Sequence, residues 1–160
     1  MKQLWAPWRM EYIKSDKSDE CIFCSLPGEG DDTKNYILYR GQSAFIIMNI
    51  FPYNSAHLMV SPFRHIGCLT EQDANESTEL NQLTHKCIEI LRAVINPDGF
   101  NIGYNIGKAA GASYDEHVHC HIVPRWTGDT NFMPVLGETK VHPEHLKATY
   151  NKLLPHFENL

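Results

Sequence analysis

The chain has 160 residues, 42% hydrophobic and 21% charged, with 14 basic and 19 acidic side chains for a formal charge of −5. That length suits one domain with its own core, and the balance excludes a disordered chain. It also excludes the broad basic face of non-specific nucleic-acid binders, but not a phosphate held by a few local donors.

The opening stretch sets Lys2 and Arg9 around Trp5 and Trp8 with no apolar run, so no targeting signal is expected. Lys14 to Glu20 is charged and serine-rich and reads as exposed. Cys21 and Cys24 follow at two-residue spacing. Ser25 to Asn35, with Pro27, Gly28 and Gly30, reads as a loop. Gly41 to Phe63 lacks any charged residue, but its Pro52, Pro62, Asn49 and Asn54 oppose a membrane span. Strands are expected at Tyr36 to Arg40 and Ser43 to Asn49 around the hairpin pair Gly41-Gln42, and at His57 to Ser61. A helix is expected from Glu71 to Val94. Leu80, Leu83, Cys87, Leu91 and Val94 recur at steps of three and four, Thr70 is a candidate cap, and Asn96 to Gly99 is a stop. Further strands are expected at Phe100 to Ile106 and His117 to Pro124. A last helix is expected over about Pro143 to Phe157, with Pro155 a possible early end. Five strands that do not alternate with helices, plus two main helices, predict an α+β domain on an antiparallel sheet.

His117, His119 and His121 alternate, so in a strand they share one face, about 7 Å apart, with Val118, Cys120 and Ile122 on the other. Three imidazoles on one face suit a metal site or nucleophilic catalysis. For phosphorus chemistry a neutral imidazole is available near pH 7, and its phosphoramidate can be broken by a second acceptor. The loop Asn101 to Ser113 feeds into this strand, and its glycines let backbone amides approach an anion. The five cysteines are odd in number, which favours reduced thiols and a cytoplasmic protein. Cys21-Ile22-Phe23-Cys24 has zinc-knuckle spacing, and histidines would have to complete four ligands, though spacing does not choose which of the nine. A free pair and a redox motif are the other readings.

The run His117-Val118-His119-Cys120-His121-Ile122-Val123-Pro124-Arg125 resembles the signature of the histidine triad family of nucleotide hydrolases and transferases. Ser55-Ala56-His57-Leu58, where many members have glycine at Ala56, and Ser61-Pro62-Phe63-Arg64-His65 extend the likeness. Leu4 to Arg9, Pro124 to Phe132 and Gly137 to Val141 are similar to the bacterial branch that includes diadenosine tetraphosphate phosphorylases. The resemblance implies one domain over 1–160, with a core at about 21–126 and a C-terminal extension, usually paired as a homodimer. Trp5 and Trp8 are candidate anchors of that interface.

The resemblance also implies roles. His119 would be the nucleophile and His121 a phosphate contact. Cys21, Cys24, His65 and His117 would hold a structural zinc. Asn101 and the turn from Gly111 to Ser113 would orient the nucleophile and hold phosphate. Asn49 would meet the ribose, where many members have aspartate. Ile22, Phe23, Leu26 and Ile50 would form the base pocket. Gly111-Ala112-Ser113 departs from the Gly-Gln-Ser of many members. The function expected is cleavage of a dinucleoside polyphosphate at the α-phosphate through a nucleotidyl-histidine, with phosphate or water as acceptor and no nucleic-acid or membrane partner. The alternatives are a nucleotide- or zinc-binding module with little turnover, or a nucleoside phosphoramidate hydrolase.

Overall fold

The computed structural model describes residues 20–112, 114–130, 144–158 and 160. Ser113, both N-terminal tryptophans and Gly137 to Val141 therefore lie outside the described residues. Five strands form one antiparallel sheet: β1 (Ile37–Arg40), β2 (Ala44–Met48), β3 (Leu58–Pro62), β4 (Gly99–Tyr104) and β5 (Cys120–Arg125), in the order β1-β2-β3-β5-β4. β1 and β2 meet at the expected hairpin, where Gly41 N donates to Ala44 O at 2.8 Å. The charge-free run is β2, a turn and β3, paired from Ala44–Pro62 to Met48–Leu58.

Both faces of the sheet are covered, and the alternation of β2 assigns them. Ala44, Ile46 and Met48 join Leu58, Val60, Cys120 and Ile122 in a core against two helices, α2 (Ala74–Ile95) and α3 (Leu146–Phe157). Phe45 and Ile47 join Ile37, Met59 and Phe23 in a smaller core on the other face. Phe23 belongs to a third helix, α1 (Ile22–Glu29). The breakers Pro27 and Gly28 suggest a loop there, but Cys24 N and Ser25 N close the first turn on Cys21 O, and the burial of Phe23 anchors it. Gly30, at φ 73, ends it in the left-handed conformation that favours glycine.

Other boundaries move for local reasons. Thr70 does not cap α2, because its hydroxyl is spent on Cys68 Sγ and Leu69–Glu71 forms a short 3-10 turn. The cap is Asp73, whose carboxylate accepts from Asn75 N and Glu76 N while Glu76 accepts from Asp73 N, a reciprocal box. Pro155 does not cut α3 short; the helix continues to Phe157, which is buried with Tyr150 and Leu153. β4 stops at Tyr104, before Gly107 at φ 79 opens a second 3-10 turn, Lys108–Ala110. β5 starts at Cys120 rather than His117, because Val118 N donates to Ile66 O at 2.7 Å and His117 N to Tyr114 O, outside the ladder. The first two histidines of the triad therefore lie on the approach to β5. Ala56, entering β3, sits at φ 56, which explains why glycine would suit that position.

Candidate active site

Four groups meet where α1 crosses the approach to β5: Cys21 before the first turn of α1, Cys24 within it, His65 after β3, and His117. Their ligand atoms all lie within 4.8 Å of one another. Nδ1 of His117 is 3.2 Å from Cys21 Sγ, 3.5 Å from Cys24 Sγ and 3.2 Å from His65 Nδ1, and Cys24 Sγ is 3.4 Å from His65 Nδ1. Tetrahedral zinc with bonds of about 2.0–2.3 Å separates its ligand atoms by roughly 3.3–3.8 Å, so the donor set fits such an ion. His117 Nε2 donates to Pro62 O at 2.9 Å, which leaves Nδ1 as the ligating nitrogen. Burial pushes His117 down to about 4, in its neutral form, and burial with the neighbouring Cys21 pushes the Cys24 thiol up to about 11. A cation is what would turn that crowded thiol into a thiolate.

His119 lies beside this cluster, its imidazole stacked on Phe23 with ring centroids 4.4 Å apart. Its Nδ1 is 2.8 Å from the carbonyl of His117. A carbonyl only accepts, so Nδ1 carries the proton and Nε2 carries the lone pair. Burial lowers the pKa of His119, which favours that neutral, nucleophilic form.

His121 follows along the face, its ring centroid 4.7 Å from that of His119, much closer than an extended strand would set them. Its tautomer comes from a fourth, fully buried histidine, His57. Tyr53 N donates to His57 Nδ1 at 3.1 Å, so His57 keeps its proton on Nε2, which donates to His121 Nδ1 at 3.0 Å. The proton of His121 is thereby placed on Nε2; Asn105 Nδ2 lies 3.4 Å away, and because two donors cannot bond, the Nε2–H is left for an acceptor from elsewhere. Burial, then the neighbouring His119, lowers His121 to about 4. A neutral imidazole with an outward Nε2–H is a hydrogen-bond donor without a charge.

The other residues singled out in the sequence are distributed around this pair. Asn49 approaches His57 with its amide while its Oδ1 accepts from Phe51 N. Ile22 and Leu26 pack, partly buried, on the smaller core. Phe23 is buried, whereas Ile50 is exposed and lines a separate hollow of about 420 Å³ beside Ala56 and α3. Asn101 accepts from Arg125 Nη1 at 2.6 Å, and Arg125 also pairs with Asp129. These border a second hollow of about 240 Å³ with Tyr53 and Val123. Asn105, not Asn101, comes next to His121. Gly111 N and Ala112 N both donate within the 3-10 turn, to Lys108 O and Gly107 O. His57 enters the sequence reading only within the likeness Ser55-Ala56-His57-Leu58, without a role, and Asn105 only as an asparagine inside the glycine-rich loop.

The HIT domain model matches residues 31–128. The chain belongs to the histidine triad family. It is 38% identical over 93% of its length, and 80% of the relative's, to a protein of Mycobacterium tuberculosis named AP-4-A phosphorylase. It is 32% identical over 75% of its length, and 89% of the relative's, to an uncharacterised HIT-like protein of Methanocaldococcus jannaschii. Among solved structures, a hypothetical histidine triad nucleotide-binding protein of Sulfolobus tokodaii has a TM-score of 0.71 at 26% identity, over 88% of this chain and 93% of that one. A Zn-bound family protein of Mycobacterium smegmatis has a TM-score of 0.70 at 23% identity, over 88% and 94%, a likeness of fold. This HIT protein is thus a nucleotide-processing enzyme of its family, and no helix among its described residues is long and apolar enough to cross a membrane.

Proposed function

We propose that this protein cleaves dinucleoside polyphosphates such as diadenosine tetraphosphate by nucleotidyl transfer through His119. The observation that carries the reading is the Nδ1–H of His119 bonded to the His117 carbonyl, which commits Nε2 to attack. Nε2 forms a bond to the α-phosphorus as the bond to the bridging oxygen breaks, and a nucleoside triphosphate leaves when the substrate is a tetraphosphate. His121 donates its Nε2–H to a phosphoryl oxygen. Phosphate or water then attacks the phosphorus, breaks the P–N bond and returns the imidazole to its neutral form. The chief contributions are orientation of the nucleophile and a fixed donor at the developing charge. The Mycobacterium tuberculosis relative's name supports the substrate class and phosphate as acceptor.

Cys21, Cys24, His65 and His117 hold a structural zinc in this reading, supported by their spacing and donor chemistry. The protein works in the cytoplasm as a homodimer. Among the described residues no strand pairs with the outer edge of β4, and that edge with its exposed Ile102 favours a second copy there. Chromatography of the products from diadenosine tetraphosphate tests the chemistry. With phosphate present the expected pair is nucleoside diphosphate and triphosphate; with water alone it is monophosphate and triphosphate. Two molecules of diphosphate without added phosphate would mean cleavage at the wrong bond and contradict the reading.

A further inference from the structure

Phe23 lies between the two cysteines of the metal set and is 1% exposed. Its ring stacks on the nucleophile, 4.4 Å between centroids and 26° between planes. It also meets His117 at 5.3 Å and Tyr114 edge-on at 6.0 Å. A ring enclosed in this way has a face against His119.

The metal set reaches His119 by a second route. The carbonyl that holds its Nδ1–H is that of His117, whose own Nδ1 is one of the four ligand atoms. The two links do different things. The stack limits how far the imidazole tilts, and the carbonyl selects one of its two flips by bonding only to a nitrogen. Both depend on the position of α1 and of the approach to β5. α1 has eight residues and no side-chain cap, too little to be stable alone, so a metal bound at its first turn would add to the anchorage that buried Phe23 provides.

We propose that Phe23 is a positioning residue for His119. Cys21, Cys24, His65 and His117 would hold zinc, and with it α1 and the approach to β5 would be fixed so that the Phe23 ring and the His117 carbonyl keep the imidazole in its attacking orientation. The proposal rests on the reading of His119 as nucleophile.

Phe23→Leu keeps an apolar side chain but removes the flat face. The variant is expected to retain its zinc, with KM within about threefold and kcat reduced about tenfold or more, because small misplacements of a nucleophile cost rate rather than binding. A base-wall role would raise KM instead. The ¹⁵N imidazole signals of His119, recorded without nucleotide, give a readout independent of turnover. They are expected to change from a pure Nδ1–H pattern to an averaged one in Phe23→Leu, and likewise in wild-type protein stripped of zinc, with recovery when zinc is returned to the latter. A Phe23→Leu variant with kcat within about twofold of wild type and an unchanged His119 pattern would overturn the proposal, as would a rise in KM alone. If chelation unfolds the wild type, the Phe23→Leu arm decides. Undiminished turnover in His119→Asn would instead overturn the nucleophile reading, leaving the ligand-free signals to judge the positioning.

Discussion

Acidification should unload stability from His121 before it protonates any ordinary surface carboxylate. Burial and the nearby His119 move His121 from 6.5 to about 4 in the folded chain. A group with a depressed folded pKa that is charged when protonated contributes fully above its unfolded value, here about 6.5. The contribution is lost as pH falls, because the unfolded chain takes up the proton first. The worked loss is about 1.5 kcal/mol by pH 5.5, about 2.5 kcal/mol by pH 4.5 and about 3 kcal/mol at pH 4, levelling at about 3.4 kcal/mol below that. His117 is also lowered, but it is a candidate metal ligand, so the loss of wild-type stability alone would mix two effects. Urea unfolding of wild type and His121→Asn from pH 8 to pH 4.5 separates them, since the difference between the two curves isolates His121. That difference should shrink by the amounts above as pH falls. Parallel curves across the range would refute the reasoning, because they would mean that His121 titrates alike in both states.

Asp73→Ala should destabilise the protein by about 1–2 kcal/mol in urea unfolding, because two backbone donors of α2 lose their acceptor; an unchanged midpoint would contradict the assigned cap. Cys21→Ser should lower the melting temperature and the zinc content of purified protein together, and a zinc-free wild type never exposed to chelator would contradict the metal reading. Light scattering at micromolar concentration should give the mass of a dimer, and Ile102→Lys should shift it toward monomer.

Much of the fold was legible because its signals are periodic. The charge-free run around Pro52 could only be strands and a turn, and Leu80, Leu83, Cys87 and Leu91 mark the buried face of α2. Boundaries failed where side chains compete for the same backbone groups, as Asp73 does against Thr70. α1 was missed because two breakers outweighed a single buried phenylalanine. At the site, alternation put three histidines on one face, but only folding revealed that His117 and His119 precede the strand and that His119 and His121 sit 4.7 Å apart. His57 and Asn105 reach His121 from 64 and 16 residues away, and no local pattern carries such a meeting.

The central claim is that His119 becomes covalently nucleotidylated. Intact mass spectrometry of protein mixed with diadenosine tetraphosphate and quenched within the first turnover tests it directly, followed by peptide mapping under conditions that preserve a P–N bond. The expected result is one added adenylyl group per active chain, mapped to His119, absent from His119→Asn and discharged by added phosphate. Rapid product formation in the first turnover with no adduct at any quench time, or with a His119→Asn variant that turns over normally, would contradict the account.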